Sequence, residues 1–407
     1  MLLFNVSWRN IWRNKLRSFI VVTAVTLGLF GGIFSIGFSN GMARQRIQSA
    51  VNNELGHLQI HGPGFPANQD LFQTLDITRF APTLDSINAI AAWSPRISIT
   101  AMARSANNAA GVMLLGVHPQ REREVTDLHH HAAQGVYLDE APEYAAFIGK
   151  ELADKLDLRM HDKIVVTMQM MDSTLTGGAF TIAGLYTTNN SAFDKRAVFV
   201  RYGELAQLIA LDTNHAHEIA AKLDRGVERG MTIAASLQQR FPQALVRSWQ
   251  QLGPTLAMLD GFMQTMMALF LAIILLALGF GIVNTMLMAV MERRREFGML
   301  AAIGMSNRRI FGMVLLETIF LSLTGGVLGM VLSAAAIAWF SRTGIDLSIV
   351  AQGLTELGYS PVVKTYISSR FYLQLSGGIV LTAILASLYP ARKAMQMEPA
   401  DALRTAA

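Results

Sequence analysis

The sequence predicts an integral membrane α-helical protein with four transmembrane helices and a large α+β extracytoplasmic domain between helices 1 and 2. Its composition is 52% hydrophobic and only 15% charged, against the ~25% charged residues of ordinary soluble domains. Four long apolar segments stand in the chain, and a stretch of mixed composition, residues 43–262, separates the first from the other three. The basic residues are concentrated in the short segments on one side of these spans.

The four spans are predicted at residues 19–42, 263–291, 310–340 and 371–389. Each is long enough for the ~20 apolar residues that a helix needs to cross a bilayer. Glu317 is the one charged residue among them. Because backbone polar groups cannot stay unpaired in lipid, segments of this kind are expected to be helices.

Charge counting predicts the orientation. Residues 1–18, 292–309 and 390–407 share one side and hold 12 Lys/Arg against four Asp/Glu, a net charge of +8. The other side, residues 43–262 and 341–370, holds 22 Lys/Arg and 24 Asp/Glu. Since short basic segments stay in the cytoplasm, both termini are expected to be cytoplasmic. The large domain and the short 341–370 loop then lie outside the membrane.

Residues 1–18 are predicted to form an amphipathic elbow helix on the cytoplasmic surface. Their apolar residues recur at helical spacing, and arginines and asparagines fill the opposite face. The apolar face consists of Phe4, Trp8, Ile11, Trp12, Leu16 and Phe19. Tryptophans beside arginines suit a helix that lies in the headgroup region. The alternative is a helix packed against protein.

The large domain is predicted to be α+β in two lobes and to carry no catalytic residues. It contains no Walker A, H-E-x-x-H or G-x-S-x-G motif, so the chain is not expected to be an enzyme. The histidines at 129–131, with His118 upstream, form the one cluster that could suggest a metal. Adjacent histidines point in different directions, so we predict a solvated loop and no metal site. No nucleic-acid partner is indicated.

The loop between the second and third spans suits docking into a groove on another protein, although composition alone favours a basic topology anchor. It has a charged start at 292–296, an apolar body at 297–303 and a breaker at Gly304. A short helix of this kind, lying flat on the membrane, suits a groove. The alternative is a basic topology anchor without a partner.

At this point four motifs, in order, resemble the permease subunit of ABC transporters of the MacB/FtsX/LolCE superfamily. They are SWRNIWRNKLRS at 7–18, ERRREFGMLAAIGM at 292–305, LLETIFLSLTGGVLG at 315–329 and YPARKAMQMEPADALR at 389–404. A fifth segment, IGKELADKLDLRMHDKI at 148–164, is similar to the periplasmic core of that family. It carries His161 where glycine is usual.

The resemblance implies mechanotransmission in a bacterial inner membrane. A cytoplasmic ABC ATPase dimer would dock beneath two permease protomers, of the same or a sister chain. No cofactor is expected on this chain, and ATP and Mg would belong to the partner ATPase. The ATPase-coupling role would fall on residues of the second motif: Glu292, Arg293, Arg294, Arg295, Glu296, Phe297, Gly298, Met299, Leu300 and Gly304. Among these, Phe297, Met299 and Leu300 are the expected apolar contact.

Two further sets of residues are candidates inside the membrane. A carboxylate in hydrocarbon is costly, so Glu317 either links the coupling segment to the helices or snorkels to the cytoplasmic interface. Aromatic and methionine side chains recur every four residues at the outer ends of the first and second spans. They would form an adaptable wall for lipid or substrate, or ordinary helix packing: Phe34, Phe38, Met42, Phe262, Met266 and Phe270.

Three functions stay open. The first is release of lipoproteins from the inner membrane, as in the LolC/LolE branch, with a periplasmic lipoprotein carrier as partner. The second is MacB-like export of a peptide, antibiotic or other amphiphile with a periplasmic adaptor. The third is FtsX-like transmembrane activation of a cell-wall hydrolase.

Overall fold

A computed structural model describes residues 15–65, 70–224 and 229–395, together with Ser7, Arg9 and Arg13. The predicted elbow helix therefore lies mostly outside the described residues, as does the tail from residue 396 onward. The chain divides into two compact units. We call them the helical unit (residues 1–42, 261–345 and 363–407) and the α+β unit (residues 43–260 and 346–362).

The helical unit is built on four long helices. They are α1 (Lys15–Ala50), which continues into the α+β unit, α9 (Pro254–Glu292), α11 (Asn307–Thr343) and α13 (Ser369–Met395). A short helix, α10 (Arg294–Ala302), joins α9 to α11. Within the described residues these four long helices are apolar enough to cross a membrane. The predicted four spans are confirmed.

Glycines of α11 allow α1 to approach closely. A Cβ at Gly325 would lie 2.8 Å from Val25, and one at Gly329 would lie 2.9 Å from Leu29. Thr26 of α1 donates a hydrogen bond to the Gly325 carbonyl at 3.2 Å. Small residues four apart bring helix backbones together in this way, so this pair of helices forms a tight part of the helical unit.

Helix α9 is attached by one narrow stripe. Its buried residues are four apart, at Leu278, Ile282, Met286 and Val290. Its remaining surface is apolar and largely exposed. Such a surface suits lipid or a second protein chain.

The α+β unit is built on a ten-stranded mixed sheet. Its strands, with two short ones that pair with each other, are β1 (Leu58–His61), β2 (Leu75–Asp76), β3 (Ile90–Arg104), β4 (Ala109–Val117), β5 (Ala132–Gly135), β6 (Ala145–Gly149), β7 (Lys163–Gln169), β8 (Leu175–Tyr186), β9 (Ala197–Arg201), β10 (His215–Ala216), β11 (Glu218–Leu223) and β12 (Leu245–Ser248). The sheet order is β12-β1-β11-β3-β4-β9-β6-β8-β5, with β7 between β3 and β8, and β2 pairs with β10 apart from it. Most pairs are antiparallel; β4–β9 and β6–β8 are parallel.

Short helices cover this sheet. They are α2 (Ile77–Ser86), α3 (Pro119–Val125), α4 (Lys150–Leu156), α5 (Ser191–Asp194), α6 (Tyr202–Ile209), α7 (Gly230–Arg240) and α8 (Trp249–Leu252). Between α11 and α13 lie β13 (Ile345–Asp346), a 3-10 turn (Ser348–Val350), α12 (Ala351–Glu356) and β14 (Val362–Val363). The α+β class predicted for the domain between the first two spans is confirmed.

Apolar side chains of the α+β unit gather in separate clusters along the one sheet. One cluster lies under α2 and α7 and includes Leu58, Phe80 and Leu237. Another packs β3, β4, β7 and β8 against α4 and α6. The sequence predicts two lobes, and the structure joins these clusters through the long strand β3.

His161 occupies a turn that favours glycine. Its φ is +70°, in the left-handed region that costs an ordinary side chain energy. Its backbone N–H nevertheless donates to the Ile182 carbonyl at 3.0 Å. The turn therefore forms despite the substitution that the sequence singles out.

Candidate coupling site

Four alternating charges connect three segments of the helical unit. Arg293, between α9 and α10, donates to both carboxylate oxygens of Glu317 on α11, at 3.0 Å and 2.8 Å. Its Nε donates to Glu296 of α10 at 2.9 Å, and Glu296 also pairs with Arg13. We call these four residues the Arg293 network. Both bonds to Glu317 come from Nη1 of Arg293, and hydrogen bonds between ionised groups are roughly twice as strong as neutral ones.

Neighbouring charges favour the ionised forms of Glu296 and Arg293. The hydrogen bond from Arg13 is the main cause that lowers the pKa of Glu296, and Arg293 adds to it. Burial is the largest single influence on Arg293 and opposes its charge, but the Glu317 and Glu296 carboxylates together outweigh it and raise the Arg293 pKa. Glu317 is 5% exposed, so the partner that a carboxylate within a span requires is Arg293.

A second contact attaches the N-terminal segment to α11. The buried hydroxyl of Ser7 donates to the Met313 carbonyl at 3.3 Å. Arg13 and Ser7 thus meet α10 and α11 respectively. The segment ahead of the first span, the loop helix and the third span are linked by polar contacts.

The structure corrects the predicted apolar contact of the coupling segment. Phe297 is only 2% exposed and packs in the core of the helical unit, with the Arg293 guanidinium 5.1 Å from its ring centre. It cannot meet a partner without leaving that core. Met299 and Ile303 are the exposed apolar side chains instead, at 57% and 79%.

Helix α10 therefore presents one defined face. Arg295 and Met299 are exposed and lie four residues apart on α10. Ile303 follows directly after the helix, is also exposed, and donates from its backbone N–H to the Met299 carbonyl at 3.1 Å, so the three share a side. Gly298 is buried, and Leu300 is partly buried against the core. Of the other predicted residues, Glu292 ends α9, Arg294 begins α10, and Gly304 has a φ of +95° that ends the turn after the helix. Ile303 lies in the predicted apolar body of the loop but is not among the predicted contacts, although its helical spacing from Met299 is a readable signal.

An apolar cavity of about 360 Å³ lies between α1 and α9. Small residues four apart create it on both helices: Ala24 and Gly28 on α1, Ala277 and Gly281 on α9. A Cβ at Gly28 or Gly281 would meet nothing within 4 Å. The polar side chain that lines the cavity, Thr285, already donates to the Gly281 carbonyl at 2.6 Å.

The predicted aromatic and methionine wall lies apart from that cavity. On α1, Phe34 packs edge-on against Phe340 of α11, with ring centres 5.7 Å apart, and Phe38 and Met42 are partly buried. On α9, Phe262 and Phe270 are exposed and Met266 is partly buried. The α1 side chains thus contribute to packing within the chain, whereas the two phenylalanines of α9 are exposed on its surface.

The histidines do not come together. The 3-10 turn Leu128–His131 holds the cluster of three, whereas His118 stacks on Tyr202 at 4.4 Å. Within the described ranges, no three His, Cys, Asp or Glu side chains are placed to hold a metal ion.

A helical unit with four spans, carrying an α+β unit inserted after the first, defines a class of membrane permeases. The sequence profile of the MacB-like periplasmic core domain matches residues 18–238, and that of the FtsX-like permease C-terminal domain matches residues 268–399. The chain belongs to the MacB/FtsX/LolCE superfamily of ABC transporter permeases, and the resemblance seen in its motifs is confirmed.

Individual relatives fall in more than one branch of that superfamily. The lipoprotein-releasing system transmembrane protein LolC of Neisseria meningitidis is 23% identical, over 96% of this chain and 95% of that protein. The pyoverdine export ATP-binding/permease protein PvdT of Pseudomonas fluorescens is 24% identical, over 98% of this chain and 58% of its own length. The macrolide export ATP-binding/permease protein MacB of a Shewanella species is 22% identical, over 96% and 58%.

Among solved structures, the periplasmic region of MacB from Actinobacillus actinomycetemcomitans is similar. It is 12% identical, with a TM-score of 0.34, and the match covers 52% of this chain and 94% of that one.

Proposed function

We propose that this chain transmits movement from one side of the membrane to the other. ATP hydrolysis on a separate cytoplasmic ABC ATPase dimer would move the α+β unit on the opposite side. The Arg293 network is the observation that carries this proposal. It joins the helix that would meet the ATPase to the third span and to the segment ahead of the first span. A displacement of α10 would pull on both spans through charge-assisted bonds. ATP and Mg belong to the partner.

The exposed face of α10 is the docking surface in this proposal. Arg295, Met299 and Ile303 offer an apolar strip beside a positive charge, which suits a groove with an acidic rim. Arg293 and Glu296 are already paired within the chain, so they hold α10 in place rather than reach outward. This arrangement requires α10 and both termini to be cytoplasmic, in the inner membrane, and the α+β unit to be periplasmic.

A second permease protomer, of the same or a sister chain, would cover α9. That helix buries one stripe within the chain and leaves the rest of its apolar surface exposed. The cavity between α1 and α9 would then lie beside the partner protomer and the lipid.

Release of lipoproteins to a periplasmic carrier is the substrate reaction we favour. The cavity is lined by aliphatic side chains, and the hydroxyl of Thr285 is already bonded to its own helix. A polar macrocycle or siderophore would lose its hydrogen bonds to water in such a place, whereas an acyl chain would not. The similarity to LolC supports the same branch. MacB-like export and FtsX-like activation are the alternatives.

Filling the cavity tests this substrate class. The chain would be reconstituted in liposomes with its ATPase, a sister permease if one exists, a triacylated lipoprotein and its soluble carrier. Gly28→Leu would place a side chain in the cavity, so we expect ATP-dependent release to fall at least tenfold. Gly31→Leu is the matched control, because a Cβ there also meets nothing within 4 Å but Gly31 does not line the cavity.

The outcomes separate the branches. Full release by Gly28→Leu would show that lipid chains do not use the cavity. ATP hydrolysis without any lipoprotein release by the wild-type complex would keep the transporter and favour export of another amphiphile. Failure of the chain to associate with any ATPase would overturn the proposal itself.

A further inference from the structure

The first helix ends inside the α+β unit in an unusual way. After Ala50, helix α1 continues as a π-helical turn, Val51–Leu55, which Gly56 closes with a φ of +71°. Val51 and Asn53 are buried there. π-helical turns are rare and occur frequently at functional sites. We call Val51–Leu55 the foot of α1.

Polar contacts fasten the foot to separate parts of the α+β unit. Asn52 donates from its amide to Asp127 at 3.0 Å, and its carbonyl accepts from the Asp127 backbone at 2.9 Å. Glu54 pairs with Arg196, the residue just ahead of β9, at 2.6 Å. Val51 packs with Trp249 of α8 on another side. The foot is thus held from three directions.

Arg96 connects these contacts to the centre of the sheet. Its Nη1 donates to the Glu54 carbonyl at 2.8 Å. The same guanidinium meets Glu122 of α3 at 2.6 Å and Glu218 of β11 at 3.3 Å. Arg96 lies on β3, which pairs with both β11 and β4. We call Arg96, Glu122 and Glu218 the Arg96 network.

Burial makes this arrangement rigid. The side chain of Arg96 is 3% exposed, and that of Glu122 is fully buried. A buried charge tolerates little displacement from its partners, because the lost attraction is not replaced by water. The foot therefore cannot turn or slide without disturbing the charges that connect it to the sheet.

We propose that the foot is a clamp by which α1 moves the α+β unit, with Arg96 as its positioning residue. This inference rests on the proposed function, since it says where the transmitted movement enters the α+β unit. It predicts that loosening the foot separates ATP hydrolysis from movement of that unit.

Spin labels can measure that movement in the full complex. The chain contains no cysteine, so Asn107→Cys on the α+β unit and Thr343→Cys at the end of α11 introduce its labelling sites, and this chain would be labelled before the ATPase is added. Both positions are exposed. The distance between the labels would be measured with the ATPase bound, in nanodiscs, before and after ATP is trapped.

The test variant is Asn52→Ala with Arg196→Gln, because Arg96→Met removes a buried cation and is expected to destabilise the whole unit. We expect the ATP-driven change in label distance to fall by at least half. ATP hydrolysis should stay within twofold of wild type and the melting temperature within a few degrees. Arg201→Gln is the matched control, since Arg201 binds the Leu138 and Ala141 carbonyls within the same unit and does not touch the foot. It should keep the full change.

A cross-link adds a rescue. The backbone bond between Asn52 and Asp127 keeps their Cα atoms within the roughly 7 Å that a disulfide spans. In the Arg196→Gln background, Asn52→Cys with Asp127→Cys should restore the movement when oxidised and lose it when reduced. This rescue would be read from ATP-dependent protease protection of the α+β unit, since spin labels would compete for the cysteines.

Each result bears on a separate claim. A full distance change in the Asn52→Ala, Arg196→Gln variant would overturn the clamp and leave the proposed function standing. A wild-type complex that hydrolyses ATP without any distance change would overturn the proposed function and the clamp with it. A distance change lost equally in Arg201→Gln would assign the effect to general stability and overturn the clamp.

Discussion

Both units contain an arginine held between two carboxylates, and the two networks differ in how far they are closed to water. In the α+β unit, the side chains of Arg96, Glu122 and Glu218 are 3%, 0% and 9% exposed. In the helical unit, the side chain of Arg293 is 13% exposed. That of Glu296, which pairs with both Arg293 and Arg13, is 40% exposed. A closed network fixes a geometry, because breaking it strands a buried charge. A partly open one can exchange partners at moderate cost.

The largest expected effect is on the closed network. Arg96→Met leaves two buried carboxylates without their cation, so we expect the free energy of unfolding of the α+β unit to fall by about 3–5 kcal/mol. Denaturant titration of the full chain in detergent, followed by tryptophan fluorescence, would measure it. Arg104→Met is the matched control, because Arg104 lies on the same strand with an exposed side chain. Equal unfolding midpoints for the two variants would contradict the assignment.

Exchanging the two charges of the Arg293–Glu317 pair should restore much of the stability that either single substitution removes. Arg293→Glu and Glu317→Arg each place like charges together, and each should destabilise the helical unit by about 1.5–3 kcal/mol, the range for hydrogen bonds to charged groups. The double variant restores an opposite pair and should recover at least half of that loss. Melting temperatures of the four proteins give the coupling energy. Strictly additive losses would show that the pair does not interact.

Mild acid should distinguish the two units. Burial is the main cause that lowers the pKa of His61 in the α+β unit to about 4. Because that value is below the ordinary 6.5, the associated stability is complete above pH 6.5 and is lost as pH falls toward 4. At pH 5 the free energy of unfolding is lowered by about 2 kcal/mol through this group. The pairing of Glu296 with Arg13 and Arg293 should be insensitive between pH 5 and 7.5, since the pKa of Glu296 is lowered.

Replacing His61 tests whether its protonation causes the loss of stability at low pH. His61 stacks on Phe65 with ring centres 5.6 Å apart, so His61→Phe keeps an aromatic ring and removes the titration. The fall in melting temperature between pH 7.5 and pH 5 should be smaller in this variant than in wild type. His130→Phe, at an exposed position, should leave the fall unchanged. An unchanged fall in His61→Phe would assign the pH dependence elsewhere.

The smallest expected effect is at the exposed face of α10. Ile303→Ser removes an exposed apolar side chain without a core contact, so we expect affinity for the partner ATPase to fall about five- to tenfold, roughly 1 kcal/mol. Binding of the purified ATPase to the chain in nanodiscs would measure it. Met291→Ser, at an exposed position of α9 that is not part of the Arg295, Met299 and Ile303 face, is the control. Equal affinity in Ile303→Ser and wild type would exclude this face as the docking surface.

The four spans could be predicted because their signal, the length of an apolar run, is local. A strand such as Lys163–Gln169 is readable in the same way, since its buried and exposed residues alternate along the chain. The short strand Ala145–Gly149 gives no such signal, because five small and apolar residues ahead of a helix have no distinct period. The π-helical foot gives none either, since nothing in VNNEL departs from an ordinary helix end.

The candidate site was predictable only in part, because its partners are distant in sequence. The segment around Arg293 and the odd carboxylate Glu317 could be singled out, but Arg13 and Glu296 are separated by 283 residues. Arg96 and Glu218 are likewise 122 residues apart, and a basic residue in a strand is ordinarily exposed. Phe297 was placed on the surface because helical spacing alone does not say which face of a short helix meets the rest of the protein.

The most direct test of the account is the number of lipoproteins released per ATP hydrolysed when Glu317 is replaced by glutamine. The change keeps the shape of the side chain and removes the charge that holds Arg293. With the reconstituted complex, we predict that release per ATP falls about tenfold, while Glu356→Gln, at an exposed position in α12, leaves it unchanged. An unchanged ratio in Glu317→Gln would contradict the claim that the Arg293 network carries the movement.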